Sequence, residues 1–95
     1  MIHTIDGMNF DDFVERELKQ GYQIYITHTT RLDEYYDDRG WGYDEVGVYN
    51  LTEFKGTLVK REVQISWDVY NKLRLKFGNG VKMNTTEFDS YKLTL

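Results

Sequence analysis

Apolar and polar positions change period several times along the chain, and each change marks an element. Phe10, Phe13, Val14 and Leu18 recur at helical spacing. Asn9 stands where an N-cap belongs, Asp11 and Asp12 suit the positive end of the helix dipole, and Gly21 follows as a C-cap. A helix is predicted over about residues 10–20. Ile2 and Ile5, just before it, suit a short edge strand.

From Tyr22 to Thr30 the period drops to two. Tyr22, Ile24, Ile26 and His28 take one face, and Gln23, Tyr25, Thr27 and Thr29 the other. Glu45–Leu51 reads as a second strand. Thr57–Ile65 reads as a third, with Val59, Val63 and Ile65 on one side and Lys60, Glu62 and Gln64 on the other. Thr52–Gly56 turns the chain between them into a hairpin. Ser66–Phe77 fits two patterns. Ser66 as N-cap, Gly78 as C-cap and the arc of Trp67, Val69, Tyr70, Leu73 and Phe77 favour a helix. Leu73, Leu75 and Phe77 also alternate as a strand would, with Gly78-Asn79-Gly80 as its turn. Val81–Met83 and Phe88–Leu95 read as closing strands, with Tyr91, Leu93 and Leu95 on one face. The expected fold is α+β: a single domain, residues 1–95, in which a small antiparallel sheet carries two helices packed on one face.

A chain of 95 residues buries only ~60–65% of its unfolded surface. The 16% aromatic content supplies large side chains for that small core. Charged residues make up 29% and mean hydropathy is -0.65, which points to a soluble, cytoplasmic protein without a membrane span or secretory signal. Absence of Cys excludes disulfides, thiolate metal sites and cysteine nucleophiles.

Chemistry-bearing motifs are scarce. His3 and His28 are the histidines, and His28 on the apolar face of its strand reads as structural rather than catalytic. No nucleophile elbow, paired-His metal spacing or P-loop occurs, because Gly40-Trp41-Gly42 lacks the Lys that must follow. Both calcium-loop registers fail: one places Arg39 and Trp41 at ligand positions, the other starts on Tyr35. A looser metal site from Asp33, Asp37 and Asp44 is a minor alternative. The expectation is a non-enzyme with no catalytic residue, no metal and no cofactor.

Charge is uneven. Net charge is -4, yet residues 1–45 hold eleven acids and four bases, and residues 46–95 hold five acids and eight bases. The acids concentrate in Arg31–Glu45, which combines Asp33, Glu34, Asp37, Asp38, Asp44 and Glu45 with Tyr35, Tyr36, Trp41 and Tyr43. So long a connection in a small domain is a functional candidate. Exposed aromatics anchor protein interfaces, and carboxylates set along a surface meet Lys and Arg as phosphates do. The competing possibility is that Leu32–Asp37 extends the strand and its tyrosines pack on the domain. Lys72, Arg74, Lys76 and Lys82 offer a different reading, a small nucleic-acid-binding or regulatory protein using the second helix.

In size, acidity, tyrosine content, absence of Cys and the run Asp33-Glu34-Tyr35-Tyr36-Asp37-Asp38, the chain resembles small phage-encoded inhibitors of bacterial defence, the anti-CRISPR proteins and other nucleic-acid mimics. That resemblance implies a non-enzymatic protein of phage or mobile-element origin that blocks a nuclease complex by occupying its surface. A pure mimic is acidic throughout, and the basic second half departs from that. The expected partner is a host protein or ribonucleoprotein complex with a basic surface. Direct nucleic-acid binding is not expected, and pairing of two copies through an edge strand is open. The expected partner-binding residues are the six acids and four aromatic residues of Arg31–Glu45.

Overall fold

A turn at Asp6 and Gly7, both with positive φ (53° and 76°), folds β1 (Thr4–Ile5) back on β2 (Met8–Asn9). The computed structural model describes residues 4–78, 82–83 and 89–95. Asn9 then caps α1 (Phe10–Lys19), its side chain accepting a 2.9 Å hydrogen bond from the Asp12 amide. Gln20 ends the helix, and Gly21 (φ 92°) reverses the chain as the sequence predicts. Two long strands follow, β3 (Gln23–Asp37) and β4 (Gly40–Lys55), then β5 (Leu58–Ile65). Ser66 caps α2 (Trp67–Phe77), accepting from the Val69 amide at 3.2 Å, so the helical reading of this ambiguous segment holds. Strands β6 (Lys82–Met83) and β7 (Asp89–Leu93) close the sheet. The predicted turn at Asn79-Gly80 and the strand positions Val81 and Phe88 lie outside the described residues, as do Ile2 and His3.

The five-stranded sheet has the order β5-β4-β3-β7-β6 with antiparallel pairing, and the fold is α+β. One cluster unites Phe10, Phe13 and Val14 of α1 and Tyr70, Leu73 and Phe77 of α2 with Ile24 and Ile26 of β3, Leu51, Ile65 and Leu93. Each such side chain contributes about 1.5–3 kcal/mol of burial free energy. Trp67 is a correction: it begins α2 but is 56% exposed, because the arc facing the sheet is filled by Tyr70, Leu73 and Phe77. Leu95, expected beside Leu93, lies past the end of β7 and is exposed. No helix among the described residues is long and apolar enough to cross a membrane.

β5 departs from the expected alternation. Glu53 faces Arg61, but the next β4 residue, Phe54, faces Val59, so Lys60 is a bulged extra residue. The bulge moves Val59 off the face of Val63 and leaves it exposed. Lys60, at the bulge, and Arg61 beside it both reach buried carboxylates. Lys60 Nζ donates to Glu17 Oε1 at 2.9 Å, and Arg61 Nε lies 3.1 Å from Glu53 Oε1. Glu17 and Glu53 are 2% and 0% exposed. Arg61 also reaches Asp6 at 3.1 Å, and Arg16 meets the same carboxylate at 2.9 Å. Hydrogen bonds from Arg16 and Arg61 therefore hold the Asp6 carboxyl below the ordinary aspartate range. Bases of the second half thus neutralise Asp6 and Glu17 of the first.

Candidate interaction arm

β3 and β4 run far past their neighbours. β7 pairs with β3 over residues 24–28, and β5 with β4 over residues 49–55. Beyond the His28↔Tyr49 pair, residues 29–48 form a two-stranded arm whose strands pair only with each other among the described residues. About ten residues per strand span ~30 Å. The arm explains the elongated shape, 51 × 31 × 25 Å, and a radius of gyration of 15.2 Å where a compact chain of this length has about 12 Å. The segment expected to be a long connection is thus a β-hairpin turned by two residues, Asp38 and Arg39. The second strand begins at Gly40 rather than Glu45, and its far turn is at Gly56-Thr57 rather than Thr52–Gly56. Strand extension was one of the two readings of Leu32–Asp37. Its tyrosines, however, do not fold back on the domain: Tyr36 is 86% exposed, and the Tyr35 ring lies against Gly42 and Arg39 within the same hairpin.

The register sorts nine of the ten candidate residues onto two faces. Asp33 pairs with Asp44, Tyr35 with Gly42 and Asp37 with Gly40 on one side. Leu32 pairs with Glu45, Glu34 with Tyr43 and Tyr36 with Trp41 on the other. Asp38 is in the turn. On the first face, Asp33 and Asp44 are like charges placed directly opposite, an arrangement that destabilises a ribbon unless it is compensated. Arg31 Nε lies 3.0 Å from Asp33, and Arg39 Nη2 lies 3.4 Å from Asp44. Arg39 also donates to Asp37 from its backbone amide at 2.8 Å and from Nη2 at 2.9 Å. Those bonds, the side-chain ones first, hold the Asp37 carboxyl below its ordinary range. The Arg39 guanidinium stacks 3.9 Å over the Tyr35 ring. That ring lies across Gly42 so closely that a Cβ there would meet the phenol oxygen at 2.7 Å. Three of the six acids and Tyr35 are therefore engaged within the chain. They brace the arm.

The second face is different. Leu32, Tyr36, Trp41 and Tyr43 are each more than half exposed, and the Trp41 and Tyr43 rings meet edge to face with centroids 5.1 Å apart. Glu34 accepts a hydrogen bond from Trp41 Nε1. Glu45 has no ion-pair or side-chain hydrogen-bond partner among the described residues. Five candidates, Glu34, Tyr36, Trp41, Tyr43 and Glu45, thus share one outward face. Leu32 joins them, and the sequence signal for it is that Leu32, Glu34 and Tyr36 occupy alternate positions.

At the root of the arm the His28 ring stacks on Tyr49 (4.7 Å, 13°) and tilts against Tyr70. Gly47 makes room: a Cβ there would lie 3.3 Å from His28 Nε2 and 3.1 Å from the Tyr49 hydroxyl. Burial pushes the Tyr70 phenol up to about 12. Among the described residues no group of three His, Cys, Asp or Glu side chains is placed to hold a metal ion. No protein-family model, curated protein or solved structure matches the chain, so function is argued from the arm itself.

Proposed function

We propose that this is a non-enzymatic binding protein that seats its arm on a cationic surface of a host nucleic-acid-handling complex and blocks it, in the manner of the inhibitors carried by phages and mobile elements. One observation carries this: exposed aromatic side chains and uncompensated carboxylates occupy the same face of a projecting ribbon. Arg31–Glu45 holds six acids and two bases, whereas the other residues hold ten of each, so the arm accounts for the net charge of the whole chain. Such a ribbon combines interface anchors with a field that steers it to a basic partner. The complex would lie in the host cytoplasm.

The rival use of α2 as a nucleic-acid footprint has less behind it. Lys72 and Lys76 both meet Asp11, at 3.2 and 3.5 Å. Arg74 binds Asn71 and lies over the Tyr70 and Tyr91 rings. The Lys82 side chain lies outside the described residues. On the fold, we also infer that both helices cover the same face of the sheet, because side chains of α1 and α2 enter one cluster with Ile24, Ile26 and Leu51.

The test is affinity capture from bacterial lysate with two baits, the wild-type chain and a Glu34→Lys/Glu45→Lys variant. The wild type should retain basic nucleic-acid-binding proteins, release them at about 0.5 M salt, and release them when DNA or RNA is added. Retention of the same proteins by the reversed bait, or indifference to added nucleic acid, overturns the proposal.

A further inference from the structure

We infer that the aromatic face of the arm carries a subsite for one arginine side chain of the partner, centred on Tyr43; this deepens, and presupposes, the role of the arm as the binding element. The register surrounds Tyr43 on a single face. Trp41 and Glu45 lie two residues away on its own strand, Glu34 is directly across, and Leu32 and Tyr36 occupy the diagonals. The Trp41 and Tyr43 rings stand at 68° to each other, so together they form an open corner with two π walls. Glu34 is tied to Trp41 Nε1, which fixes the indole and sets a carboxylate beside that corner. Glu45 lies on the far side of Tyr43.

Ring faces flanked by carboxylates are the surroundings a guanidinium prefers. It is planar, weakly hydrated, stacks on aromatic rings and donates in a fork to carboxylate oxygens. An ammonium is a compact, strongly hydrated point charge and gains less from the same corner. The opposite face of the arm shows the pairing already made. There Arg39 stacks 3.9 Å over Tyr35 while its nitrogens bind Asp37. Tyr43 and Glu45 present the same two groups, and no cation among the described residues stacks on Tyr43 or pairs with Glu45. The chain satisfies one tyrosine–carboxylate pair with its own arginine, and the other faces outward to receive an arginine from elsewhere.

The experiment uses the full chain in a Trp67→Phe background, so that Trp41 alone reports by fluorescence. An oligo-arginine peptide and an oligo-lysine peptide of equal length are titrated in at matched ionic strength. Oligo-arginine should bind about fivefold or more tightly than oligo-lysine. Glu45→Gln should erase that preference, and Asp44→Asn, whose side chain is on the other face, should retain it. Equal, salt-sensitive affinity for the two peptides overturns the arginine subsite and leaves the cationic-surface function standing. Loss of the preference in Asp44→Asn as complete as in Glu45→Gln also overturns it. Failure of both peptides to bind sinks subsite and function together.

Discussion

Glu17 and Glu53 are buried side by side, and the structure assigns them opposite protonation behaviour. Burial alone raises both carboxyls. For Glu17 that rise is outweighed by hydrogen bonds from Lys60 and Glu53 and by the charges of Lys60 and Arg16, so it is held below the ordinary range. For Glu53, burial comes first, and the Glu17 charge and the hydrogen bond to Glu17 push it further up, against weaker pulls from Lys60 and Arg61. Neither Glu53 oxygen has an aligned nitrogen donor, since the nearby Arg61 Nε is off the hydrogen-bond axis. The two directions predict that the pair shares one proton, held by Glu53 beside the ionised Glu17.

Replacing each acid by its neutral isostere should then act in opposite directions. On that prediction, Glu53→Gln keeps a donor toward Glu17 and removes a fully buried titratable carboxyl. A buried polar group without proper partners costs about 1–3 kcal/mol, so a gain of about 1–2 kcal/mol is expected. For a chain of this size that is a Tm rise of roughly 5–10 °C. Glu17→Gln removes the anion to which Lys60 donates and should cost about 2 kcal/mol. The pH dependence follows from the directions. A raised folded-state carboxyl contributes stability below its unfolded value, near 4.5, and loses it as pH climbs through the folded one. The advantage of Glu53→Gln should therefore be largest at neutral pH and vanish as pH falls toward 4.5. The lowered Glu17 contributes above 4.5 and loses its contribution as pH falls through its folded value. Thermal melts of the three proteins by circular dichroism between about pH 4 and 8 read this directly. If Glu53→Gln is destabilised at pH 7 as much as Glu17→Gln, then Glu53 is ionised and bound by Arg61, and the shared-proton account is wrong.

Three further outcomes are expected. Asn9→Ala removes the cap on the Asp12 amide and should cost about 1 kcal/mol in urea denaturation, whereas Asn9→Asp should retain most of it. Gly42→Ala should push the Tyr35 ring aside and break its stack with Arg39, costing roughly 0.5–1 kcal/mol within the arm; faster amide exchange at residues 35–42 with unchanged exchange at Ile24 and Ile26 would show it. Tyr43→Ala on the exposed face should leave global stability within about 0.5 kcal/mol while removing partner capture, and a large loss of Tm would show that the ring packs on the domain.

Elements with a local cause were legible in the sequence. Asn9 and Ser66 cap both helices because a short oxygen side chain satisfies an amide that the helix leaves unpaired. Alternation of Ile24 and Ile26, with Leu51 opposite Ile26, marks the strands whose one face is buried. Asp6-Gly7 is a hairpin signal, but its flanking strands have two residues each, too few to show alternation. The β5 bulge was not legible, since nothing local distinguishes Lys60 from Glu62. The carboxylates that Lys60 and Arg61 meet lie on α1 and β4, far away in sequence. The arm was half legible. Its residues were the right ones, but hydrophobic periodicity reports burial, and a ribbon exposed on both faces has no periodicity to read. Which acids are free followed only from the cross-strand register, which places Arg31 and Arg39 among the aspartates and away from Glu45.

A protein this small has little reason to hold twenty residues away from its core unless they act there. The arm adds none of its side chains to the buried cluster, and an isolated two-stranded ribbon is marginal in water. Its order comes from the bracing on one face, where Arg39, Tyr35 and Gly42 lock the tip and Arg31 offsets an aspartate, and from its root, where His28, Tyr49 and Tyr70 stack above Gly47. Charges that attract a partner would, if left uncompensated on both faces, force the strands apart. Neutralising one face and leaving the other free resolves that conflict. On the proposed function, stability and recognition sit on opposite sides of the same ribbon, so substitutions on the Asp33–Asp44 side should reach binding only through arm order, whereas those on the Glu34–Tyr43–Glu45 side should reach it with arm order intact.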